Sequence, residues 1–316
     1  KSGHDVEMGE NVNNRLGFRG VEDLGGGMKA TFELERRFNL NDGTLKKSDK
    51  DWDGAANVGL KGDSWGAVRL GRVNELTTET IRKFDPFYQY GVGAMLEGNQ
   101  RSPRIDNTIR YDSPNWSGFK FGATYSLGGN TDKDSAEGTP IYTAKKDGNG
   151  YDNDGYAIML GYDNGPLALV GNWSRLADSN KSSVWNLGAA YRFGDAKVAL
   201  VYQQTKDKGW ANGEHSNWHD NDSAFGKWVK DEYNLDLVGA NGVNIDSITE
   251  KQWLLGLEWK LGPGRLNASA QWMEVEANGG VHIGDKDIYK YAIGYTYDLS
   301  KRTAIYGNIA YTDYDD

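Results

Sequence analysis

Apolar and polar residues alternate with a period of two through most of the chain. In residues 119–127, for example, Phe119 and Phe121 alternate with polar or small residues, and the same pattern recurs at 185–193 and 253–261. Successive side chains of a β-strand point to opposite faces, so the alternation predicts strands with one apolar and one polar face.

Fourteen such segments pair into seven predicted hairpins. The pairs are 12–22 with 28–39, 55–62 with 67–73, 106–113 with 119–128, 156–163 with 166–177, 183–193 with 196–207, 251–261 with 264–277, and 288–299 with 303–313. Short turns close every pair, whereas mostly longer connections join one pair to the next. These connections are roughly 41–54, 74–105, 129–155, 178–182, 208–250 and 278–287. Strict alternation of short turns and long loops is typical of barrels in the bacterial outer membrane.

Hydropathy alone gives no sign of a membrane protein. Its mean hydropathy is −0.71, and no segment approaches the roughly 20 consecutive apolar residues of a membrane helix. A barrel strand crosses a bilayer in about 9–11 residues and shows lipid only every second side chain, so low hydropathy is compatible with it. We therefore predict an all-β fold, a transmembrane antiparallel β-barrel that occupies residues 1–316 as one domain.

Composition excludes several kinds of site and partner. The 316 residues include 42 Gly, 12% aromatic residues and no Cys, which rules out disulfides, thiolate zinc sites and a cysteine nucleophile. The net charge of −9 argues against nucleic acid as the main partner, because phosphate binding requires a basic face.

The alternation also assigns charged side chains to the inside of the barrel. If Leu16, Phe18, Phe32 and Leu70 face lipid, the arginines and glutamates beside them face the lumen. A charge facing hydrocarbon near mid-depth costs about 2–4 kcal/mol, so this assignment is strongly enforced. The predicted lumen wall is net basic. It carries Arg15, Arg19, Lys29, Arg37, Lys61, Arg69, Arg110, Lys120, Arg192, Lys260 and Lys290 against Glu33, Glu35, Asp112, Glu258 and Asp298.

Signals for other kinds of function are weaker. Residues 62–66 fit a G-x-S-x-G motif but join two predicted strands instead of leading into a helix. His215 and His219 have a spacing compatible with zinc, and the Asp- and Asn-rich segment 147–155 is compatible with calcium, yet neither has a complete ligand set. We assign no cofactor and no metal. A barrel enzyme and a surface-binding β protein stay as alternatives.

Four segments resemble the general porins of Neisseria and of Burkholderia-type and Acidovorax-type bacteria. They are RLGFRGVEDLGGGMKA at 15–30, VRLGR at 68–72, RYDSP at 110–114 and YDLSKRT at 297–303. The resemblance implies sixteen strands, of which the first and the last are missing here, so we expect the sequence to be incomplete at both ends. It also implies a homotrimer in the bacterial outer membrane, in contact with lipid and lipopolysaccharide, that passes ions and small hydrophilic solutes without enzymatic chemistry.

The resemblance further implies that the family's third long loop, here about 74–105, folds inward and narrows the pore. Arg15 and Arg104 match the family's constriction arginines, and a third is replaced near Gly54. The predicted constriction residues combine this loop with the opposite wall. They are Arg15, Glu33, Arg37, Arg69, Arg82, Lys83, Asp85, Glu97, Arg101, Arg104 and Arg110. Because the wall is net basic, we expect a weak preference for anions.

Overall fold

The computed structural model of the chain describes residues 11–47, 50–96, 104–127, 154–175, 182–207, 245–279 and 283–314. These residues form fourteen strands and one short helical segment. The strands are β1 (Asn14–Gly25), β2 (Met28–Phe38), β3 (Ala55–Gly62), β4 (Gly66–Asn74), β5 (Arg104–Asp112), β6 (Phe119–Ser126), β7 (Gly155–Asn164), β8 (Leu167–Arg175), β9 (Ser183–Phe193), β10 (Ala196–Asp207), β11 (Ile245–Leu261), β12 (Gly264–Gly279), β13 (Ile283–Ser300) and β14 (Thr303–Tyr314). Helix α1 (Leu76–Ile81) and a 3₁₀ turn (Arg82–Phe84) follow β4.

All fourteen strands belong to one antiparallel sheet, in which each strand pairs with its neighbours in sequence. This confirms the seven predicted hairpins, including the turn at residues 62–66, which leads from β3 into β4. Strands β1 and β14 are the two edges of the sheet, and the sixteen-strand barrel stays a prediction. Within the described residues, no helix is long and apolar enough to span a bilayer.

Strands β11 and β13 begin several residues before their predicted starts. The β11–β12 ladder runs from Ile245 to Leu261 instead of beginning near residue 251. The added residues at the start of β11 include Ser247 and Thr249 and lack the apolar alternation that marks the rest of the strand. Backbone hydrogen bonds continue through this part of the ladder, so the strand extends where the side-chain pattern gives no signal.

The two faces of the sheet differ as the alternation predicts. Phe32, Val58 and Leu70 lie side by side on β2, β3 and β4 and are 45–58% exposed. The neighbouring row, Thr31, Gly59 and Arg69, lies on the other face: a Cβ atom added to Gly59 would come 2.9 Å from Thr31 Oγ1 and 3.1 Å from Arg69 Cγ. The apolar row therefore faces outward, and the polar row faces the concave side.

The hydrophobic core lies inside the curved sheet, between its concave face and the segment that follows β4. Leu76, Ile81, Phe84 and Met95 of this segment are at most 2% exposed. They pack against inward-facing residues of the wall, namely Ala157, Met159, Val170, Ala190, Ala199, Val201 and Leu254. Glycines make the close approach possible, because a Cβ atom at Gly188 would lie 2.9 Å from the Phe84 ring.

An arginine on the outer face should destabilise the fold far more than one on the concave face at the same depth. We expect Leu70→Arg to lower the free energy of unfolding in lipid vesicles by about 2–4 kcal/mol, because the charge would face hydrocarbon. The matched control is Thr31→Arg in the adjacent row, where water solvates the charge and the loss should be small. Denaturant titration of both variants checks this; equal losses would contradict the assignment of the two faces.

Candidate functional site

The segment after β4 is held together by one buried carboxylate. Asp85 is fully buried, and its Oδ1 accepts the backbone N–H of Phe87 at 2.9 Å. Its Oδ2 accepts the N–H groups of Gln89 at 2.9 Å and Met95 at 3.0 Å. Burial raises the pKa of Asp85, whereas the three N–H donors oppose that rise by favouring the carboxylate. Asp85 thereby holds residues 85–95 together. We call the whole segment 76–96, which begins with α1 and the 3₁₀ turn, the inner loop.

Polar contacts fasten the inner loop to the concave face along a wide arc of strands. Thr80 Oγ1 lies 2.8 Å from Asn172 Oδ1 on β8. The backbone N–H of Leu96 donates to Gln271 Oε1 on β12 at 2.9 Å. Lys290 Nζ on β13 donates to the Ala94 carbonyl at 2.8 Å. The inner loop therefore lies against the concave face of the sheet and is attached to strands from β8 to β13.

Three arginines on β1, β2 and β5 share one carboxylate. Glu35 Oε1 accepts Arg37 Nε and Nη2 at 3.3 and 3.2 Å, and Glu35 Oε2 lies 3.4 Å from Arg15 Nη1. Arg104 Nη2 is 4.0 Å from Glu35 Oε1, and its Nε donates to the Gly54 carbonyl at 2.9 Å. We call these four residues the Glu35 cluster. Asp53, whose Oδ1 accepts the Arg37 backbone N–H at 3.0 Å, adds a second negative charge beside Arg37. Three guanidinium groups therefore face two carboxylates, and the cluster together with Asp53 is net positive.

The absence of a side chain at Gly54 is part of this geometry. A Cβ atom there would lie 2.4 Å from Glu35 Oε1 and 2.6 Å from Glu35 Cγ. The Glu35 side chain therefore fills the place that a larger residue 54 would need. A fourth arginine at this position is incompatible with the arrangement.

Three other arginines of the predicted wall, Arg19, Arg69 and Arg110, are neutralised more completely. Arg19 lies 2.8 Å from Glu33 and is 75% exposed. Arg69 pairs with Asp112 at 2.7 Å. Arg110 is buried between Glu79 at 2.7 Å and Asp112 at 2.8 Å, so its charge is used inside the wall.

Two cations of the inner loop complete the candidate site. Arg82 Nε donates to Gln89 at 3.2 Å, and its guanidinium group lies 5.6 Å from the centre of the Tyr90 ring. Tyr90 in turn interacts with Arg15 on β1. Lys83 is 45% exposed and lies 3.3 Å from Asp163. Arg82 thus presents positive charge toward the same lumen as the Glu35 cluster, whereas Asp163 compensates the charge of Lys83.

Comparison with known proteins identifies the family. A family model described as Gram-negative porin matches residues 1–316. The chain belongs to the Gram-negative porin family. It is 32% identical to an outer membrane porin protein of Bordetella pertussis, over 94% of this chain and 76% of that protein. It is 29% identical to outer membrane porin protein 32 of Delftia acidovorans, over 94% of this chain and 74% of that protein.

A solved structure, an anion-selective porin from Comamonas acidovorans, has the same fold with a TM-score of 0.66. It is 27% identical, and the match covers 98% of this chain and 81% of that one. The porin is accordingly an outer-membrane channel rather than an enzyme, with the all-β fold that its alternation predicted.

The predicted constriction residues take several different positions in the porin. Arg15, Arg37 and Arg104 come together around Glu35, whereas Arg69, Arg110 and Glu33 form separate ion pairs. Asp85 was predicted to line the pore, but its side chain is fully buried inside the inner loop and has no contact with the pore solution. Glu97 and Arg101 lie outside the described residues, as do His215, His219 and segment 147–153.

Several residues of the porin lumen were absent from the predicted set. Lys197 and Arg265 were absent from the predicted wall, although both obey the alternation: Arg265 alternates with the outward-facing Leu266. Tyr88 and the ion pair of Arg72 with Asp106 had no sequence signal of their own. No group of three or more potential metal ligands is present in the part of the chain that the structure describes.

Loss of the Asp85 charge should loosen the inner loop of the porin. In Asp85→Asn an amide N–H₂ replaces one acceptor oxygen and faces backbone donors, and a hydrogen bond to a charged group contributes roughly 1.5–3 kcal/mol. We expect faster hydrogen exchange at Gln89 and Met95, measured by mass spectrometry, with the sheet intact. Asp42→Asn is the control, since Asp42 accepts the Thr44 N–H in an exposed turn. Unchanged exchange at both amides in Asp85→Asn would contradict the role of Asp85.

Proposed function

We propose that this porin is a passive, water-filled channel for ions and small hydrophilic solutes with a weak preference for anions, and that it catalyses no reaction. The constriction in this proposal lies between the inner loop and the Glu35 cluster. Residues 1–316 act as one barrel domain, surrounded by lipid and lipopolysaccharide of the outer membrane.

The Glu35 cluster is the observation that carries the preference for anions. Its three arginines outnumber Glu35 and the adjacent Asp53, whereas the neighbouring Arg19, Arg69 and Arg110 each have an acidic partner within 2.8 Å. Uncompensated positive charge in a narrow aqueous passage attracts anions and repels cations. The presence of Glu35 at the centre of the cluster makes the expected preference weak, since it cancels part of the arginine charge.

The comparisons support this proposal in two respects. The solved porin from Comamonas acidovorans, whose fold matches over nearly all of this chain, is described as anion-selective. One solved form of OmpT from Vibrio cholerae, with the same fold at a TM-score of 0.63 and 15% identity, is described as a trimer. We propose a homotrimer for this porin as well, because association would cover the apolar outer faces of several strands in each subunit.

Removing the negative charge of Glu35 should increase the preference for anions. A unit charge about 8 Å from a permeating ion in water changes its energy by roughly 0.5 kcal/mol, so we expect Glu35→Gln to raise the chloride-over-potassium permeability ratio about twofold. Arg15→Ala combined with Arg104→Ala should shift the ratio toward potassium. Reversal potentials of single channels in a potassium chloride gradient provide the measurement.

Glu33→Gln is the matched control for this experiment. Glu33 lies on the same strand and face, two residues away, but its partner Arg19 is largely exposed and screened by salt. Its permeability ratio should match the wild type. Unheated detergent gels should show three subunits together for every variant. A wild-type channel that prefers potassium would overturn the proposed selectivity.

A further inference from the structure

A second group of cations lies on the concave face near the short turns, apart from the Glu35 cluster. Arg192 on β9, Lys260 on β11 and Arg265 on β12 are two residues or fewer from the ends of their strands at those turns. We call these three residues the exit cluster, because the short turns of bacterial outer-membrane barrels lie at the periplasmic end. None of them is among the predicted or proposed constriction residues.

Arg265 contacts the inner loop and therefore faces the lumen, and alternation with the exposed Tyr191 and Trp259 places Arg192 and Lys260 on the same face. The Arg265 guanidinium group lies 5.8 Å from the centre of the Tyr88 ring. On the same face, Lys197 Nζ donates to the Lys83 carbonyl at 2.6 Å and lies 5.8 Å from the same ring. Arg265 therefore lies next to the loop, and the cluster is on the short-turn side of the constriction, where a solute passes after it.

The carboxylate of Glu258, on the same strand as Lys260, is already committed to other groups. Glu258 Oε1 pairs with Lys197, and Glu258 Oε2 accepts the Tyr88 hydroxyl at 2.9 Å. Burial, followed by the nearby Glu258 charge, raises the pKa of Tyr88 to about 12, so Tyr88 is a neutral donor at physiological pH. Glu258 is thus satisfied by Lys197 and Tyr88 and leaves the three cations of the cluster without an acidic partner.

No described acidic residue replaces Glu258 in that role. Asp195 and Asp298 lie near the same turns, yet neither forms an ion pair with Arg192, Lys260 or Arg265 in the described part of the chain. Unlike the Glu35 cluster, the exit cluster has no carboxylate that bridges its members.

Two features of the cluster indicate that an anion completes it. Lys260 and Arg265 are direct cross-strand partners, and like charges in that position destabilise a sheet unless something compensates them. The Nε atom of Arg265 is buried and has no hydrogen-bond acceptor among the described residues. A buried donor without an acceptor is costly, so an acceptor from solution would be favoured here.

We propose that the exit cluster is a binding site for small divalent oxyanions, such as phosphate or a dicarboxylate, on the periplasmic side of the inner loop. Different oxygen atoms of such an anion can accept from Arg265 and Lys260 at the same time, and its second negative charge attracts the two cations more strongly than the single charge of chloride does. The site holds the anion after it has passed the constriction and favours its residence over that of monovalent ions. This inference does not depend on the overall ion preference of the channel.

Block of the single-channel chloride current tests the site, with inorganic phosphate or succinate added on the short-turn side. We expect both anions to block the wild-type channel. In the double variant Arg265→Gln, Lys260→Gln the apparent dissociation constant should rise at least about tenfold. If succinate blocks and phosphate does not, the site is specific for dicarboxylates. If phosphate blocks and succinate does not, the site is specific for phosphate. Lys260→Gln alone changes only an exposed side chain and should weaken the block by a smaller factor.

Lys61→Gln is the matched control, because Lys61 is an exposed lysine at the short-turn end of β3, nine strands away from β12 in the sheet. Its block should equal that of the wild type. Equal block in the wild type and the double variant would overturn the site, and so would an equal loss in Lys61→Gln, which would indicate a general field. The wild-type channel could prefer potassium while only the double variant loses the block. That result would contradict the proposed selectivity and support the site.

Discussion

The structure depends on one constraint: a charged or unpaired polar group cannot face hydrocarbon at low cost. Backbone groups satisfy it by forming a continuous antiparallel ladder from β1 to β14. Side chains satisfy it by strict alternation, which directs residues such as Phe32 and Leu70 outward and residues such as Arg69 inward. Within the membrane-spanning strands, charge can consequently accumulate only on the lumen side, and the selectivity of the channel is set there.

The same constraint explains why the core of this porin lies in the lumen. The outer face carries the apolar half of the alternation toward the membrane, so the remaining apolar side chains need a partner on the concave side. The inner loop supplies it with Leu76, Ile81 and Phe84, and the wall provides room through small residues such as Gly188. Asp85 determines the shape of the loop from within, whereas Lys290 and Gln271 fix it to the wall. A rigidly fastened loop is what makes an opening of defined charge possible.

The sequence specifies the strands and their faces because both follow from local periodicity. Fourteen strands and seven hairpins could be predicted, and so could the inward direction of Arg15 and Arg37. The sharing of Glu35 by three arginines could not, because it depends on the close packing of three strands and on the space left by Gly54. Burial of Asp85 was equally inaccessible, since a loop aspartate normally is solvated and its backbone donors come from residues up to ten positions away. Arg265 could have been predicted from alternation alone.

Accessibility of single cysteines along β2 tests which side chains face the lumen and which face the membrane. The experiment is clean because the chain contains no Cys of its own. A membrane-impermeant thiol reagent would be applied to folded protein in lipid vesicles, with Cys substituted in turn at residues 29–34. We expect labelling when Cys replaces Lys29, Thr31 or Glu33, and protection when it replaces Ala30, Phe32 or Leu34. Labelling that ignores this period of two would contradict the assignment of a wet, charged lumen and an apolar outer face.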